Sequence, residues 1–214
     1  MNKINFVILA CILATLLFWI ANLIGVNLDV WAFSTDNLLA GRLWTPVTAL
    51  FVHADLLHLA GNMIFLYVFG NTLEKEVGSG KTFLAFFAGG ILTFLFGIFF
   101  YSPSDLMIGA SAAIFTLTAF VMLVKPLKFS FVFLMPVGLV AVIYFVYNVL
   151  AIQFGVESNV AYVSHVIGFG IGVIFGLLWG KNVLKNILIT IGLFIVYLVI
   201  TFLIIPYVLQ LIGL

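Results

Sequence analysis

The stretch that decides the fold is Tyr162-Val-Ser-His165-Val-Ile-Gly168-Phe-Gly-Ile-Gly172-Val-Ile-Phe-Gly176-Leu-Leu-Trp-Gly180. It carries no charge and sits in an apolar run from Val160 to Gly180, and about 20 such residues cross the ~30 Å of a bilayer's hydrocarbon as a helix. Gly168, Gly172, Gly176 and Gly180 recur every four residues, a G-x-x-x-G stripe that lets another backbone approach closely. His165 lies three residues before Gly168 and so falls on the same side as the stripe. It points toward whichever helix packs there.

The rest of the chain is of the same kind. Of 214 residues, 65% are hydrophobic and only 7% charged, with a mean hydropathy of +1.37. A soluble domain carries roughly 25% charged residues, so these few charges do not clothe a soluble surface. A net charge of +1 gives no basic footprint for nucleic acid. The single Cys11 makes neither a disulfide framework nor a cysteine metal cluster. The lipid bilayer is the expected environment.

Seven apolar runs follow one another: Ile4–Val26, Leu56–Leu73, Thr82–Tyr101, Gly109–Val124, Phe129–Phe154, Val160–Gly180 and Ile187–Leu214. This predicts an all-α polytopic membrane protein. The first run exceeds a signal-peptide core and has no clear small-x-small cleavage site, so a retained span is expected. The fourth, sixteen residues or ~24 Å of helix, falls short of a full crossing. Residues 27–55 carry Trp31, Phe33, Trp44 and Phe51, which suits a segment lying in the membrane interface. With the N-terminus inside, Lys3, Lys75, Lys81, Lys125, Lys128, Lys181 and Lys185 fall on the cytoplasmic side. Only Arg42 falls outside, with Asp29, Asp36, Asp55, Asp105 and Glu157, as the positive-inside rule requires. The C-terminus is then outside too.

The spans hold no Asp, Glu, Lys or Arg apart from their flanks. That excludes an aspartyl protease needing two buried carboxylates, and the H-E-x-x-H zinc motif is absent. A charge-coupled transporter usually keeps an ionisable group at mid-depth. What remains is His53, His58, His165, Ser111, Asn62 and scattered Thr and Asn. The second, fourth and sixth spans run in the same direction and place His58, Asn62, Ser111 and His165 ~3–9 Å below their outer ends. His58 and Asn62, four residues apart, share a helix face. Each group has a plain structural reading: Ser as a packing residue, His as an interfacial polar group, Asn as a bond between helices. Meeting at one depth favours a site. The small residues Gly109-Ala110-Ser111-Ala112-Ala113 match the glycine stripe, and pairing those faces brings Ser111 within reach of His165. Phe115, one turn below Ser111, can then stack on the imidazole.

These residues resemble the rhomboid family of intramembrane serine proteases, over about Trp44 to Gly180. The family pattern H-x-x-x-x-H-x-x-x-N is matched by His53, His58 and Asn62, and G-x-x-x-E-x-x-x-G-S-x-K by Gly70, Glu74, Gly78, Ser79 and Lys81. G-x-S-G appears as Gly109-Ala110-Ser111-Ala112 and H-x-x-G as His165-Val-Ile-Gly168. The resemblance implies Ser111 as nucleophile, His165 as general base, and His58 and Asn62 in the oxyanion hole, with Gly109, Phe115, Gly168 and His53 in support. It implies transmembrane proteins as substrates, entering beside the fifth span, where Pro136 and Gly138 would permit bending, and no metal or cofactor. It also implies a single domain over 1–214: a six-helix core over about 1–180 plus one further helix over 187–214, the 6+1 arrangement. Two positions depart from the family pattern: Ala112 stands for the motif glycine, and Thr45 for the Arg of a W-R pair that begins at Trp44.

No carboxylate is placed to orient His165, so a Ser–His dyad is expected, with Phe115 and a backbone or side-chain acceptor in place of the triad's Asp. A multi-pass protein of a prokaryotic cell membrane is expected. Two rival readings remain: an inactive rhomboid-like protein that binds membrane clients, and a small transporter or channel with a histidine-lined path.

Overall fold

The structure is a computed structural model and describes residues 2–27, 29–156 and 160–212. Glu157, Gly213 and Leu214 lie outside the described residues. Each apolar run forms a helix: α1 (Ile4–Leu23), then two short helices of the interfacial segment, α2 (Thr35–Leu39) and α3 (Thr45–Thr48), then α4 (Leu56–Val77), α5 (Ser79–Gly97), α6 (Ser111–Val124), α7 (Val137–Gln153), α8 (Tyr162–Trp179) and α9 (Val183–Leu211). By length and composition α1, α4, α5, α8 and α9 are long and apolar enough to cross a membrane, while α6 and α7 are shorter apolar helices. The chain is an all-α polytopic membrane protein. The last helix begins at Val183, before the expected residue 187.

The fifth run needs a correction. Its first eight residues are not helical: Phe129–Ser130 (β1) and Met135–Pro136 (β2) pair antiparallel, and Leu134 between them takes a left-handed φ of 55°. Proline has no N–H for a helix interior and pushes its predecessor toward extended backbone. Pro136 therefore precedes the first turn of α7 as its cap residue. A Cβ on Gly138 would lie 2.6 Å from Cβ of Pro126. These two residues start the helix against a neighbouring turn; they do not bend its middle.

Helix α6 is the centre of the bundle. Every residue from Ala112 through Val121 is buried, the condition of a helix that is apolar all round. Neighbours reach it through glycine. Gly89 of α5 abuts the Thr116 side chain, while on α8 Gly168 abuts the Ala112 carbonyl, Gly172 the Thr116 carbonyl and Gly176 the Leu123 side chain. The Thr116 hydroxyl donates to the Gly168 carbonyl at 2.9 Å, a bond between helices. By contrast, α9 buries only Thr190 in its first seventeen residues and is held to α6 by Asn186 Nδ2 donating to the Leu123 carbonyl at 2.7 Å.

The ends of the bundle differ in chemistry. At one end Glu74 accepts from the Lys3 and Ile4 backbone N–H groups, each at 2.8 Å, and from Ser79 Oγ at 2.6 Å. A carboxylate there satisfies orphan donors of the first turn of α1 and complements its dipole. Lys125 pairs with Glu76 at 3.1 Å, and Lys81 lies over the Trp179 ring. At the other end the first turns of α4, α6 and α8 carry His58, Ser111 and His165.

Candidate active site

The interfacial segment positions the start of α6. Phe33, stacked on Phe94 at 5.3 Å, exchanges both backbone hydrogen bonds with Met107, at 3.0 and 2.7 Å. Two residues on, Gly109 N–H donates to the Ala49 carbonyl at 2.8 Å. Gly109 takes φ +106°, which a side chain rarely tolerates. A Cβ there would also lie 2.6 Å from His58 Nε2 and 3.6 Å from Asn62 Nδ2. Both side chains therefore crowd the backbone just before Ser111, the first residue of α6.

The ring nitrogens can be assigned from their partners. Asp55 caps α4 by accepting from the His58 N–H at 2.8 Å. Ala54 N–H points to His58 Nδ1 at 3.5 Å, which leaves the proton on Nε2, facing Gly109. Asn62 Nδ2 is buried without a hydrogen-bond partner among the described residues. Unpaired buried donors are rare in folded proteins and call for an explanation.

His53 is fully buried and ties three elements together. Thr15 Oγ of α1 donates to the Phe51 carbonyl at 3.1 Å and lies 3.1 Å from His53 Nδ1, which therefore carries the proton. Its Nε2 accepts from the Ala110 N–H at 3.4 Å, and Trp19 Nε1 donates to the His53 carbonyl at 3.0 Å. Burial, reinforced by the adjacent His58, pushes the His53 imidazole down to about 3. It is a neutral structural linker.

His165 is buried and stacked on Phe115, the ring centroids 4.3 Å apart at an interplanar angle of 9°. Its Nδ1 lies 2.8 Å from Oδ1 of Asn148 on α7. Asn148 Nδ2 donates to the Tyr144 carbonyl one turn back at 2.7 Å, so its oxygen faces the ring and Nδ1 carries the proton. That leaves the Nε2 lone pair without a partner among the described residues. Gly168 against Ala112 sets the two helices in contact where His165 lies one turn before Gly168 and Ser111 one residue before Ala112. Among the described residues Ser111 Oγ makes no hydrogen bond, to His165 or to any other group. Nor do any three of His, Cys, Asp or Glu there gather to hold a metal ion.

Sequence reasoning did not name Asn148. The available signal was its isolation, as the one amide in α7 before the terminal Gln153.

Fold and site together describe a multi-pass membrane protein with an ordered polar centre inside an apolar bundle. The chain belongs to the rhomboid family: the family's Rhomboid domain profile matches residues 40–182. It is 38% identical over 79 residues to Rhomboid-like protein 11, chloroplastic, of Arabidopsis thaliana, covering 37% of this chain and 28% of that protein. It is 32% identical over 120 residues to Rhomboid protease GluP of Bacillus subtilis, covering 53% and 23%. With Rhomboid protease GlpG of Serratia proteamaculans the figures are 32% over 91 residues, 40% and 29%. The matched region thus spans about a quarter of the length of these relatives.

Proposed function

We propose that this chain is an intramembrane serine endopeptidase in which Ser111 is the nucleophile and His165 the general base. The observation that carries the reading is the state of the His165 ring. It is stacked on Phe115, its Nδ1–H is engaged by Asn148, and its Nε2 is left free on the helix that packs through Gly168 onto Ala112. A base needs an available lone pair and a fixed ring. In apo enzymes the bond from nucleophile to base is often long and tightens only with substrate bound.

In this reading Ser111 Oγ attacks the carbonyl carbon of a peptide bond and its proton passes to His165 Nε2. The developing oxyanion meets the Ser111 N–H, His58 Nε2–H and Asn62 Nδ2. The buried, unpaired Asn62 donor fits that role: it is held ready for a charge that appears only during reaction. Collapse of the tetrahedral intermediate breaks the C–N bond, and His165 returns the proton to the leaving amine. Water then attacks the acyl-serine with the same base, releasing the carboxylic acid and restoring Ser111. Substrates are membrane-spanning helices that unwind locally, because an intact helix ties up its carbonyls.

The lysine-bearing end of the bundle faces the cytoplasm in this proposal, so cleavage occurs near the outer face, in a 6+1 arrangement with α9 as the added helix. The relatives come from bacteria and from a plant organelle, and the proposed orientation rests on the charge pattern. Purified protein in liposomes with a transmembrane substrate tests the activity. The wild type should cut the substrate, and Ser111→Ala and His165→Ala should not. A second reading, an inactive client-binding member of the family, draws on Ala112 and on the unbonded Ser111; it predicts no cleavage by any variant.

A further inference from the structure

We infer that Asn148 is a positioning residue for His165: it holds the imidazole in the tautomer and orientation that leave Nε2 free. This rests on the protease reading above, but its geometry stands independently. Asn148 is 2% exposed, in the middle of an apolar helix, where an amide carries a desolvation penalty unless its groups are bonded. Both are. Nδ2 donates to the Tyr144 carbonyl at 2.7 Å, and Oδ1 lies 2.8 Å from His165 Nδ1. The first bond fixes the flip of the amide, and the flip fixes which atom the imidazole sees.

The packing of α7 against α8 holds this pair in register. One turn before Asn148, Phe145 stacks on Phe169, one turn after His165, with ring centroids 4.4 Å apart. On the other side of the pair, the Tyr147 and Tyr162 hydroxyls lie 3.4 Å apart. The His165 ring is thus gripped on one face by Phe115 of α6 and along its edge by Asn148 of α7, while its own backbone belongs to α8. An acceptor on Nδ1–H does the work that a carboxylate does in a triad, selecting the tautomer and stabilising the imidazolium that forms during proton transfer. A neutral amide does so without burying a charge in lipid. If the acceptor is lost, the ring can place its proton on Nε2, where it blocks the serine.

The test uses the whole chain in detergent and two substitutions. Asn148→Leu keeps the branched outline of the side chain with an apolar group that cannot accept. Asn148→Asp keeps an oxygen at the same reach. We expect Asn148→Leu to lower kcat ten- to a hundredfold, with KM within twofold and the melting temperature maintained, and Asn148→Asp to regain most of the loss. A folded Asn148→Leu with kcat within twofold of wild type overturns the inference. So does Asn148→Asp no better than leucine, because the role is then packing alone. The 15N spectrum of ring-labelled histidine in wild type, assigned by loss of the His165 signals in His165→Ala, reads the tautomer directly. A protonated Nδ1 supports the inference and a protonated Nε2 overturns it. This reading needs neither turnover nor a folded Asn148 variant, so an inactive wild type defeats the protease proposal while leaving the tautomer to decide the inference.

Discussion

Asn62 and His53 are both buried polar groups, yet they have opposite relations to their surroundings. Asn62 Nδ2 has no partner among the described residues, so its removal takes away no hydrogen bond there, and Asn62→Ala should leave the melting temperature near wild type. Losing one oxyanion donor typically costs ~2.7–4 kcal/mol, or 10²–10³ in kcat. In the proposed site His58 and the Ser111 N–H remain as donors, so a loss of about tenfold is expected, on kcat more than on KM. A lower melting point with unchanged kcat would make Asn62 structural. His53 is bonded at both nitrogens and held neutral. In the unfolded chain its ring takes up a proton near pH 6.5, in the folded protein only near 3. Between those values the unfolded state binds more protons, so stability present above pH 6.5 is lost as the pH falls toward 3. Thermal unfolding across that range should show a steeper fall for wild type than for His53→Gln; parallel curves would mean that the ring titrates normally. The sequence pattern exposed the positions of these groups but not their bonds. Which nitrogen His53 offers to Ala110 depends on a hydroxyl 38 residues away on α1, and no local pattern encodes that.

At the scale of elements, the contact between α6 and α8 carries the account. The four-residue glycine spacing made this pairing legible, because small residues at one helix face have few other uses in lipid. The Asn148 contact was not legible, since it depends on how α7 and α8 sit in register, a property of tertiary packing. The hairpin at 129–136 was also hidden: uniform apolarity does not separate strand from helix, and only Pro136 marked the boundary. A Cβ on Gly168 would collide with the Ala112 carbonyl, whereas one on Gly170, across the helix, meets nothing within 4 Å. Gly168→Ala should therefore push α8 away from α6 and displace His165 from Ser111. A misplacement of ~1 Å costs about 10²-fold in rate. Gly170→Ala should be silent in the same assay. Equal activities in the two variants would show that the helix separation does not control the site.

For the whole molecule, the distribution of charge is the basis of the proposed orientation, with the lysine-bearing end toward the cytoplasm. The apolar runs predicted all seven apolar helices, though their boundaries moved by several residues because capping and frayed turns lie outside a hydropathy count. The proposed orientation is tested by single cysteines in a Cys11→Ala background, with the protein expressed in a bacterial inner membrane. Asp105→Cys, in the exposed loop before α6, should react with an impermeant thiol reagent added from outside, and Lys128→Cys, in the turn after α6, should not. The reverse pattern would put Ser111 near the cytoplasm.

The central claim is that Ser111 is a nucleophile activated by His165, and a serine-directed fluorophosphonate probe tests it most directly, because covalent capture needs no knowledge of the substrate. The account predicts that the wild-type protein in detergent forms a stoichiometric adduct on Ser111, with no adduct in Ser111→Ala and strongly slowed labelling in His165→Ala. A folded wild-type protein that stays unlabelled, or labelling that survives Ser111→Ala, would contradict it.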